Sequence, residues 1–449
     1  MKKMKIALAS MLVAAGITAT AGAANFTNCA DRLKDVGLFQ GTNQGYQLDR
    51  APTRAEASAM LVRLLGKEEE AKSLTYTAPF TDLVGWEKPY VQYLYDNGLA
   101  NGTSATTYNP SGKCSAQMYT TFLLRALNYS DKRGDFSYAE ALDFGEARGL
   151  VDAYNCNTKN FLRDNVVAMS LTALGTEYND GSHRLLLDKL IGDGAVDKLK
   201  AASLTDFFVD AEAFNVAAEN SAADTKSAMD LNMSMHVAES GKTMYSLTMP
   251  MSIKTDMNLT DLDKSKMEMT GKMSLKLDPS LAEGGQTDIQ QDIKYYYTNG
   301  VYYMDMGAAG KTKMAMSFDD VLSGMDMTSL NSDIPASLIN KITKNGNTMT
   351  VTYNMDGMFG SELFDELFAS LTDGMKISVK DLNVTATVTG GKITGSALTG
   401  DINITALGTT MTASVSATTK VTATGDSVKV TLPTDLSAYT DINDMIEGQ

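Results

Sequence analysis

Residues that commonly carry enzyme chemistry are few and far apart in this chain. It has two histidines, His183 and His236, which lie in different regions without a serine or cysteine nucleophile motif nearby. No P-loop, strand-to-helix G-x-G-x-x-G, H-E-x-x-H or C-x-x-C motif occurs. The 54 acidic residues necessarily include close pairs, but nothing in the sequence sets two carboxylates across a cleft. We therefore expect a protein that is not an enzyme and that has no cofactor and no metal site.

A cation at a predicted helix start is the strongest candidate for binding. In Thr53-Arg54-Ala55-Glu56 the spacing is that of a capping box, which accounts for Thr53 and Glu56 without a ligand role. Capping does not account for Arg54, because a positive charge in the first turn opposes the helix dipole. Backbone N–H groups and a guanidinium together can receive a carboxylate or phosphate, so an anion site is predicted at Arg54. Trp86, the only tryptophan, fits either stacking on a sugar or core packing.

The chain is strongly acidic. Its 449 residues include 39 Lys and Arg against 54 Asp and Glu, for a net charge of −15. A phosphate backbone would be repelled by this charge, which excludes a basic nucleic-acid-binding protein. Long-range electrostatic attraction cannot hold such an acidic chain on an anionic surface either. Binding there would depend on a few cationic side chains at specific positions. The length predicts about two or three domains, at roughly 150 residues each.

The first 24 residues have the pattern of a secretory signal peptide. Three lysines precede an apolar stretch from Ile6 to Ile17, and the small residues Ala21-Gly22-Ala23 provide a cleavage site. The apolar stretch is shorter than the roughly 20 residues that span a bilayer, and no later segment reaches that length. We expect an exported protein from which residues 1–24 are removed, with a net charge of −18 and no transmembrane segment.

Three cysteines in an exported chain permit one disulfide. Cys114 with Cys156 is the preferred pair, because both precede comparable helices, and buried cysteines without a disulfide are the alternative. Cys29 follows Phe26-Thr27-Asn28, which lacks the leucine and small residues that precede a lipid-modified cysteine. No lipid anchor is expected.

The first half contains a threefold repeat. Residues 33–41 align without gaps on residues 94–102, and residues 145–153 form a weaker third copy. In each copy a helix is predicted to end at a glycine in the left-handed conformation, namely Gly37, Gly98 or Gly149. A second helix follows, with its apolar residues at helical spacing. The repeats lie at about 25–66, 80–128 and 135–175, and we expect them to pack as one domain over residues 25–178.

Several motifs in these repeats together resemble the S-layer homology (SLH) repeat. They are Phe80-Thr81-Asp82-Leu83, Trp86, Gly98-Leu99-Ala100-Asn101-Gly102, Tyr108-Asn109-Pro110 and Thr53-Arg54-Ala55-Glu56. The resemblance implies an all-α, pseudo-threefold bundle whose grooves bind a secondary cell-wall polysaccharide, often one that bears ketal-linked pyruvate. It also implies the polysaccharide-binding residues, which are Thr53, Arg54, Glu56, Trp86, Gly41, Gly102 and Arg163.

The three copies depart from the motif to different degrees. The second copy has Ser115-Ala116-Gln117-Met118 and the third has Leu162-Arg163-Asp164-Asn165 where the first has the full Thr-Arg-Ala-Glu. The groove that combines Arg54 with Trp86 is therefore the best equipped, and Arg163 is the candidate for a second groove.

The second half has a different pattern. Residues 179–228 are predicted as a helical linker, residues 229–435 as a β-rich domain and residues 436–449 as a tail. Period-two alternation predicts strands at 229–237, 245–253, 267–277, 292–297, 301–306, 348–355, 376–388, 392–407, 409–424 and 427–432. Turns at Asn299-Gly300, Gly390-Gly391 and Gly425-Asp426 punctuate an antiparallel order. Two inserted helices are predicted, at 318–345 and 357–373.

This pattern resembles the half-barrel of LolA- and LppX-like lipoprotein carriers. The segment Tyr295 to Met306 resembles a hairpin of the DUF6612 lipoproteins. The resemblance implies an apolar or lipid-like ligand between sheet and helices. Of 28 methionines, 22 lie at or after Met229, which suits an adaptable apolar site but also an ordinary core. Thioether ligands for Cu(I) are a weaker alternative, because the Met spacing follows strand alternation and only His236 is nearby.

The predicted fold class is multidomain α + β, with an N-terminal helical bundle and a C-terminal curved antiparallel sheet. The predicted function is that of a secreted protein of the cell wall, cell surface or S-layer. It would be anchored non-covalently to wall polysaccharide and would carry an apolar ligand in its second half. A structural surface-layer or wall-spacing protein without a ligand is the alternative, and a wall-active glycosidase is the third and weakest.

Overall fold

The computed structural model describes residues 25–282, 285–307, 310–317, 333–359, 376–406 and 409–442. Its helices are α1 (Thr27–Asp35), α2 (Arg54–Leu64), α3 (Glu68–Ser73), α4 (Lys88–Asp96), α5 (Ala116–Ala126), α6 (Ala141–Glu146), α7 (Arg163–Leu174), α8 (Leu186–Gly192), α9 (Lys198–Ala222) and α10 (Met355–Phe359). Within these described ranges, no helix has the length and apolar character needed to cross a membrane.

The strands follow almost entirely after the helices. They are β1 (Lys226–Glu239), β2 (Lys242–Asp256), β3 (Lys266–Leu277), β4 (Asp288–Thr298), β5 (Val301–Asp305), β6 (Lys311–Ala315), β7 (Ile339–Asn345), β8 (Thr348–Tyr353), β9 (Lys376–Thr389), β10 (Lys392–Ala406), β11 (Thr409–Thr424) and β12 (Thr440–Asp441). The predicted α + β class is confirmed at this level. The half-barrel form of the sheet stays a prediction.

The repeated glycine turns end the first helix of each repeat. Gly37, Gly98 and Gly149 have φ of 81°, 67° and 67°, the left-handed region that a side chain would strain. In each turn the next residue donates its N–H to a carbonyl five residues back, as from Leu38 to Leu33 at 2.8 Å. The chain is thereby turned towards the second helix of the repeat.

The second helices α2, α5 and α7 form the centre of the helical half. Each pair of them is in contact, and each is buried over most of its circumference. Helices that are apolar on all sides need neighbours on all sides. The three repeats therefore share one core, which is the arrangement that their internal similarity predicts.

Helix α9 joins the helical half to the sheet. Phe208 packs against Gly175 of the bundle, where an added Cβ would lie 2.7 Å from the phenyl ring. The other end of α9 contacts the hairpin between β9 and β10. Ser221 Oγ accepts from Ile393 N at 2.7 Å, and Asp224, just after α9, forms an ion pair with Lys392 at 2.7 Å. The segment predicted as a helical linker is thus largely helical and packs on both parts.

The twelve strands form one sheet in the order β12-β6-β5-β4-β3-β2-β1-β11-β10-β9-β8-β7. Every pair is antiparallel except β12 with β6. The predicted turns at Asn299-Gly300 and Gly390-Gly391 both have positive φ and close hairpins. The register places Met233 opposite Met249 and Ala417, so the alternating apolar residues share one face.

Three predictions about the second half are corrected. Residues 339–345, predicted as helix, form strand β7, because Ile339 and Ile342 pair with Tyr353 and Val351 on β8. Residues 427–432 are not a strand, since a 3₁₀ turn at Gly425–Ser427 carries the chain off the sheet. Strand β6 was not predicted, being only five residues long. Residues 318–332 and 360–375, which include most of both predicted helices, lie outside the described residues.

The predicted Cys114–Cys156 disulfide is not formed. All three cysteines are buried and no disulfide joins them. Burial raises the pKa of the Cys29 and Cys114 thiols far above the ordinary value. Similar helix context does not by itself bring two Cα atoms within the roughly 7 Å that a disulfide requires, and the sequence had left buried cysteines without a disulfide as the alternative.

Phe214 tests whether α9 holds the sheet in place. Its side chain is fully buried, with its ring 6.1 Å from that of Tyr353 on β8. Phe214→Ala should lower the free energy of unfolding by about 3–5 kcal/mol, because it removes apolar contacts and leaves a cavity. Urea unfolding of the full chain, followed by circular dichroism, measures this change.

Val209→Ala is the matched control, because Val209 is on the same helix and 62% exposed. It should change stability by no more than about 0.5 kcal/mol. Equal effects of the two substitutions would contradict the packing of α9 against β8.

Candidate functional site

Arg54 lies at the junction of the first and second repeats. Its backbone N–H donates to Gly112 O at 2.8 Å, and the next N–H, of Ala55, donates to Pro110 O at 3.0 Å. The N–H of Glu56 donates to Thr53 Oγ1 at 3.2 Å. The start of α2 is therefore already hydrogen-bonded, which corrects the expectation that its backbone N–H groups receive an anion. Anion binding here would depend on the guanidinium.

The Arg54 guanidinium is half-buried and held in a fixed position. Its Nε donates to Tyr108 O at 2.8 Å, and Nη2 donates to Asn101 O at 3.3 Å near the surface. Nη1 contacts the sulfur of Met118. The guanidinium carbon also lies 4.9 Å from the centre of the Tyr108 ring. These contacts orient the cation but involve only three of its five N–H donors.

Tyr108 and Asp82 build the wall beside Arg54. Tyr108 is completely buried, and its hydroxyl contacts Ser58 on α2. Asp82 accepts from the backbone N–H of Tyr108 at 2.8 Å and of Asn109 at 2.7 Å. Burial alone would raise the pKa of Asp82, but those N–H groups and the charge of Arg54 hold it below its ordinary value. The carboxylate that partly balances Arg54 is thus engaged with the backbone of the second repeat.

The two predicted turn glycines are required by close packing. A Cβ on Gly102 would lie 2.4 Å from the Phe80 ring and 2.5 Å from Thr107 O. A Cβ on Gly41 would lie 2.8 Å from Gly45 O. Gly102 follows directly after Asn101, whose carbonyl accepts from Arg54, so it shapes the rim of the Arg54 junction.

Thr53 and Glu56 form the predicted capping box. Glu56 Oε2 accepts from Thr53 N at 2.9 Å. Both Glu56 oxygens also accept from Arg50, at 2.5 and 2.8 Å. Burial opposes ionisation of Glu56, but the Arg50 hydrogen bonds and the Thr53 N–H leave its pKa below the ordinary value. Both side chains form hydrogen bonds that position the start of α2. Arg50 was not predicted, although an arginine six residues before the glutamate is visible in the sequence.

Arg163 repeats the geometry of Arg54 at the junction of the third and first repeats. Its N–H donates to Arg50 O at 2.9 Å, and its Nε donates to Tyr46 O at 3.1 Å. Met60 and Phe39 take the places that Met118 and Tyr108 take beside Arg54. Arg163, however, is only 3% exposed. This cation is enclosed by the protein, and at the third junction the corresponding residue is Ala116.

Trp86 packs beside Tyr90. Its side chain is 57% exposed and its ring is 6.0 Å from that of Tyr90. The Tyr90 hydroxyl donates to Glu68 at 2.6 Å and accepts from Arg63 at 3.2 Å. Arg63 lies near the end of α2, whereas Arg54 is its first residue. Nine residues along a helix correspond to roughly 14 Å. Among the described residues, no hydrogen bond or ring contact joins Trp86 to Arg54, so one groove containing both stays a prediction.

Both histidines are on the surface. His183 is 84% exposed in its side chain and pairs with Glu177 at 2.9 Å. His236 Nδ1 is 2.8 Å from Ser246 Oγ on the exposed face of the sheet. The structure therefore places them in different parts of the molecule, as their sequence positions indicate.

Comparison with known proteins identifies one matching family. Residues 79–115 match the S-layer homology domain. That segment contains Asp82, Gly102 and Tyr108, which supply one side of the Arg54 junction, and it also contains Trp86.

Curated relatives match over wider ranges. A middle cell wall protein of Brevibacillus brevis is 24% identical over 42% of this chain and 19% of its own length. A surface layer protein of Brevibacillus choshinensis is 28% identical over 28% of this chain and 12% of its own. An endoglucanase of Bacillus sp. strain KSM-635 is 26% identical over 25% of this chain and 14% of its own. The chain thus covers less than a fifth of each relative. The matches support a location at the cell wall or cell surface.

A solved structure of a DUF1329 family protein from Desulfovibrio piger aligns with 46% of this chain and 90% of its own. It has 8% identity and a TM-score of 0.15, too low to support a common fold. The resemblance of the second half to LolA-like carriers therefore stays a prediction.

The difference in burial between the two arginines predicts a difference in stability. Arg163→Ala should lower the free energy of unfolding by about 2–3 kcal/mol, because it removes an almost fully buried side chain that donates to Tyr46 O and packs against Phe39. Arg54→Ala should cost about 1 kcal/mol or less, because water can enter the space left by its partly exposed guanidinium and replace it at the Tyr108 and Asn101 carbonyls. Thermal unfolding of both variants checks this order, and an equal or larger loss for Arg54→Ala would contradict it.

Proposed function

We propose that residues 25–178 hold the protein non-covalently on an anionic secondary cell-wall polysaccharide, and that Arg54 binds the anionic group. The observation that carries this proposal is the state of the Arg54 guanidinium. It is fixed by Tyr108 and Asn101 yet partly exposed, whereas the equivalent Arg163 is enclosed. A fixed, planar cation matches a carboxylate or phosphate with little loss of side-chain entropy on binding.

Support also comes from sequence similarity. The segment that matches the S-layer homology domain supplies Tyr108 and Asn101 to the junction. Two relatives are named for the cell wall and the surface layer. The match to the endoglucanase spans 14% of that protein, so we propose an anchoring function and not hydrolysis. We therefore expect that the protein releases no reducing sugar when it is incubated with wall polysaccharide.

The charge balance explains why one residue can decide attachment. The chain carries a net charge of −15, so an anionic polymer is repelled at distances within the Debye length of roughly 10 Å. Loss of one charge-assisted contact, worth about 1.5–3 kcal/mol, is then not compensated by general attraction. Attachment should strengthen moderately as salt screens this repulsion, until salt also weakens the Arg54 contact.

Arg54→Ala should reduce binding to purified wall sacculi by about 10-fold to 100-fold, as measured by co-sedimentation. Arg54→Lys should bind with intermediate strength, because lysine keeps the charge but not the planar pair of donors. Mild acid treatment that removes ketal-linked pyruvate from the sacculi should weaken the wild type and leave Arg54→Ala little changed.

Arg133→Ala is the matched control, because it removes the same charge from a side chain that is 57% exposed. It should bind like the wild type. If folded Arg54→Ala bound sacculi as strongly as the wild type, the assignment of Arg54 would be contradicted. Trp86→Ala, which should barely alter stability, would then test whether sugar stacking on Trp86 provides the binding.

For the second half we propose an apolar, lipid-like ligand on the methionine-rich face. Met233 is directly opposite Met249, and Met235 opposite Leu247, in the centre of the sheet. These side chains are only half-buried among the described residues, unlike Val237 nearby, which is buried. Flexible methionines can adapt to a ligand of variable shape. A wall-spacing sheet without a ligand is the alternative.

Mass spectrometry of an organic extract of the purified full chain should detect a co-purifying lipid. Met233→Asp should abolish its retention and the binding of an apolar dye, because a carboxylate on that face must be desolvated. Asn232→Asp, on the opposite exposed face of the same strand, should bind normally. Absence of both lipid and dye binding in the wild type would favour the wall-spacing role.

A further inference from the structure

The first described residues of the chain are fixed on a buried carboxylate. Asn25 N donates to Asp164 Oδ2 at 2.8 Å, and Phe26 N donates to Asp164 Oδ1 at 2.9 Å. Asp164 is the second residue of α7 and is only 4% exposed. A carboxylate from the third repeat thus holds the start of the first repeat.

No cation balances this carboxylate in the described part of the chain. The neighbouring Arg163 directs its Nε to Tyr46 O, and no ion pair joins Asp164 to a lysine or arginine. A buried carboxylate without a paired cation is costly, even when N–H groups bond it. Burial accordingly raises the pKa of Asp164 to about 6, although the two N–H groups act to lower it.

The sequence supplies the missing cation if the predicted signal peptide is removed after Ala24. Hydrolysis of the Ala24–Asn25 bond adds the hydroxyl of water to the Ala24 carbonyl and a hydrogen to Asn25 N. The resulting α-amine then takes a proton from the solvent. The residues at the third and first positions before this bond would be Gly22 and Ala24, both small as such a site requires.

We propose that Asn25 becomes the mature N-terminus and that its α-ammonium group forms a buried ion pair with Asp164. The existing N–O distance of 2.8 Å is that of a charge-assisted hydrogen bond. A single additional residue would move the positive charge away by up to about 3.8 Å and leave only an amide N–H at this position. The position of the cleavage therefore decides whether the ion pair forms.

The ion pair would also fix the contact between bundle and sheet. Asn25 O accepts from Asn354 Nδ2 at 2.8 Å, and Phe26 packs on Gly357, where an added Cβ would lie 2.7 Å from its ring. Further along the chain, Arg32 on α1 donates to Asn340 O of β7 at 2.7 Å. Removal of the signal peptide would thus complete a junction that the precursor holds less firmly.

The first test is the N-terminus of the protein isolated from the cell surface. Mass spectrometry should identify Asn25 as the first residue. A mature chain that begins at Ala24, after the Ala21-Gly22-Ala23 site, or at any other residue would overturn the proposal.

The second test compares a full-length mature chain beginning at Asn25 with one beginning at Ala24, each with and without Asp164→Asn. In the wild-type background the added alanine should lower the melting temperature by on the order of 5 °C. In the Asp164→Asn background it should have no effect, since there is no carboxylate to pair. An equal loss in both backgrounds would overturn the proposal.

The pH dependence gives a readout that a merely structural role would not change. In the chain with added Ala24, Asp164 has a folded pKa of about 6, above its ordinary unfolded value, so its contribution to stability falls as pH rises from about 4 to 6. In the chain that begins at Asn25 the ammonium keeps Asp164 ionised, and this fall should disappear. Stability should instead fall above about pH 8, as the α-amine loses its proton.

Other titratable groups near Asp164 are common to both chains. They are the Cys29 thiol on α1, Asp152 before α7, and Arg163, and burial raises the pKa of Asp152 to about 6 as well. The difference between the two chains therefore isolates the N-terminus.

If Asp164→Asn does not fold, the rate at which an amine reagent modifies the α-amine of the wild-type chain replaces it. Protection by at least 10-fold relative to the unfolded chain is expected, and equal rates would overturn the proposal.

Discussion

The helical half depends on how one repeat provides hydrogen-bond acceptors for the helix start of another. The first N–H groups of an α-helix have no partner within the helix. Here Gly112 and Pro110 of the second repeat accept from the start of α2, while Arg50 and Leu48 of the first repeat accept from the start of α7. Separating the repeats would return these donors to water and expose helices that are buried on most of their surface. Hydrogen bonding and burial therefore require the same assembly.

This constraint also places the two arginines. A residue at the first position of α2 or α7 must point along the neighbouring repeat, where Tyr108 or Phe39 provides a ring and a carbonyl accepts from Nε. An arginine at this position satisfies buried carbonyls across the junction. Its electrostatic conflict with the helix dipole is thus offset by contacts between repeats, and a ligand is not needed to explain why it is there. What distinguishes Arg54 is its exposure.

Local features of the sequence predicted local structure well. The Thr53–Glu56 capping box, the left-handed glycines and most strand positions depend on residues close together in the chain, and all were found. Features that depend on distant residues were not predicted. The burial of Arg163 and the absence of a disulfide among the three cysteines follow from how the repeats pack. The local pattern of residues 339–345 favours a helix, but pairing with β8 outweighs that pattern, so these residues form strand β7. At the candidate site, the sequence identified Arg54. It could not show that the backbone N–H groups at the start of α2 already donate to carbonyls of the second repeat.

The two edge strands of the sheet are partly covered, each in a different way. At one edge, carbonyls of Ile339 and Asn340 on β7 accept from Asn28 and Arg32 of the bundle. At the other edge, Thr440 and Asp441 pair with β6, held by Tyr439, which is 2% exposed and packs on Tyr303. Exposed strand edges invite pairing between molecules, and covering both discourages it. The face of the sheet opposite the methionines carries His236 and Asn232, which are both exposed to solvent.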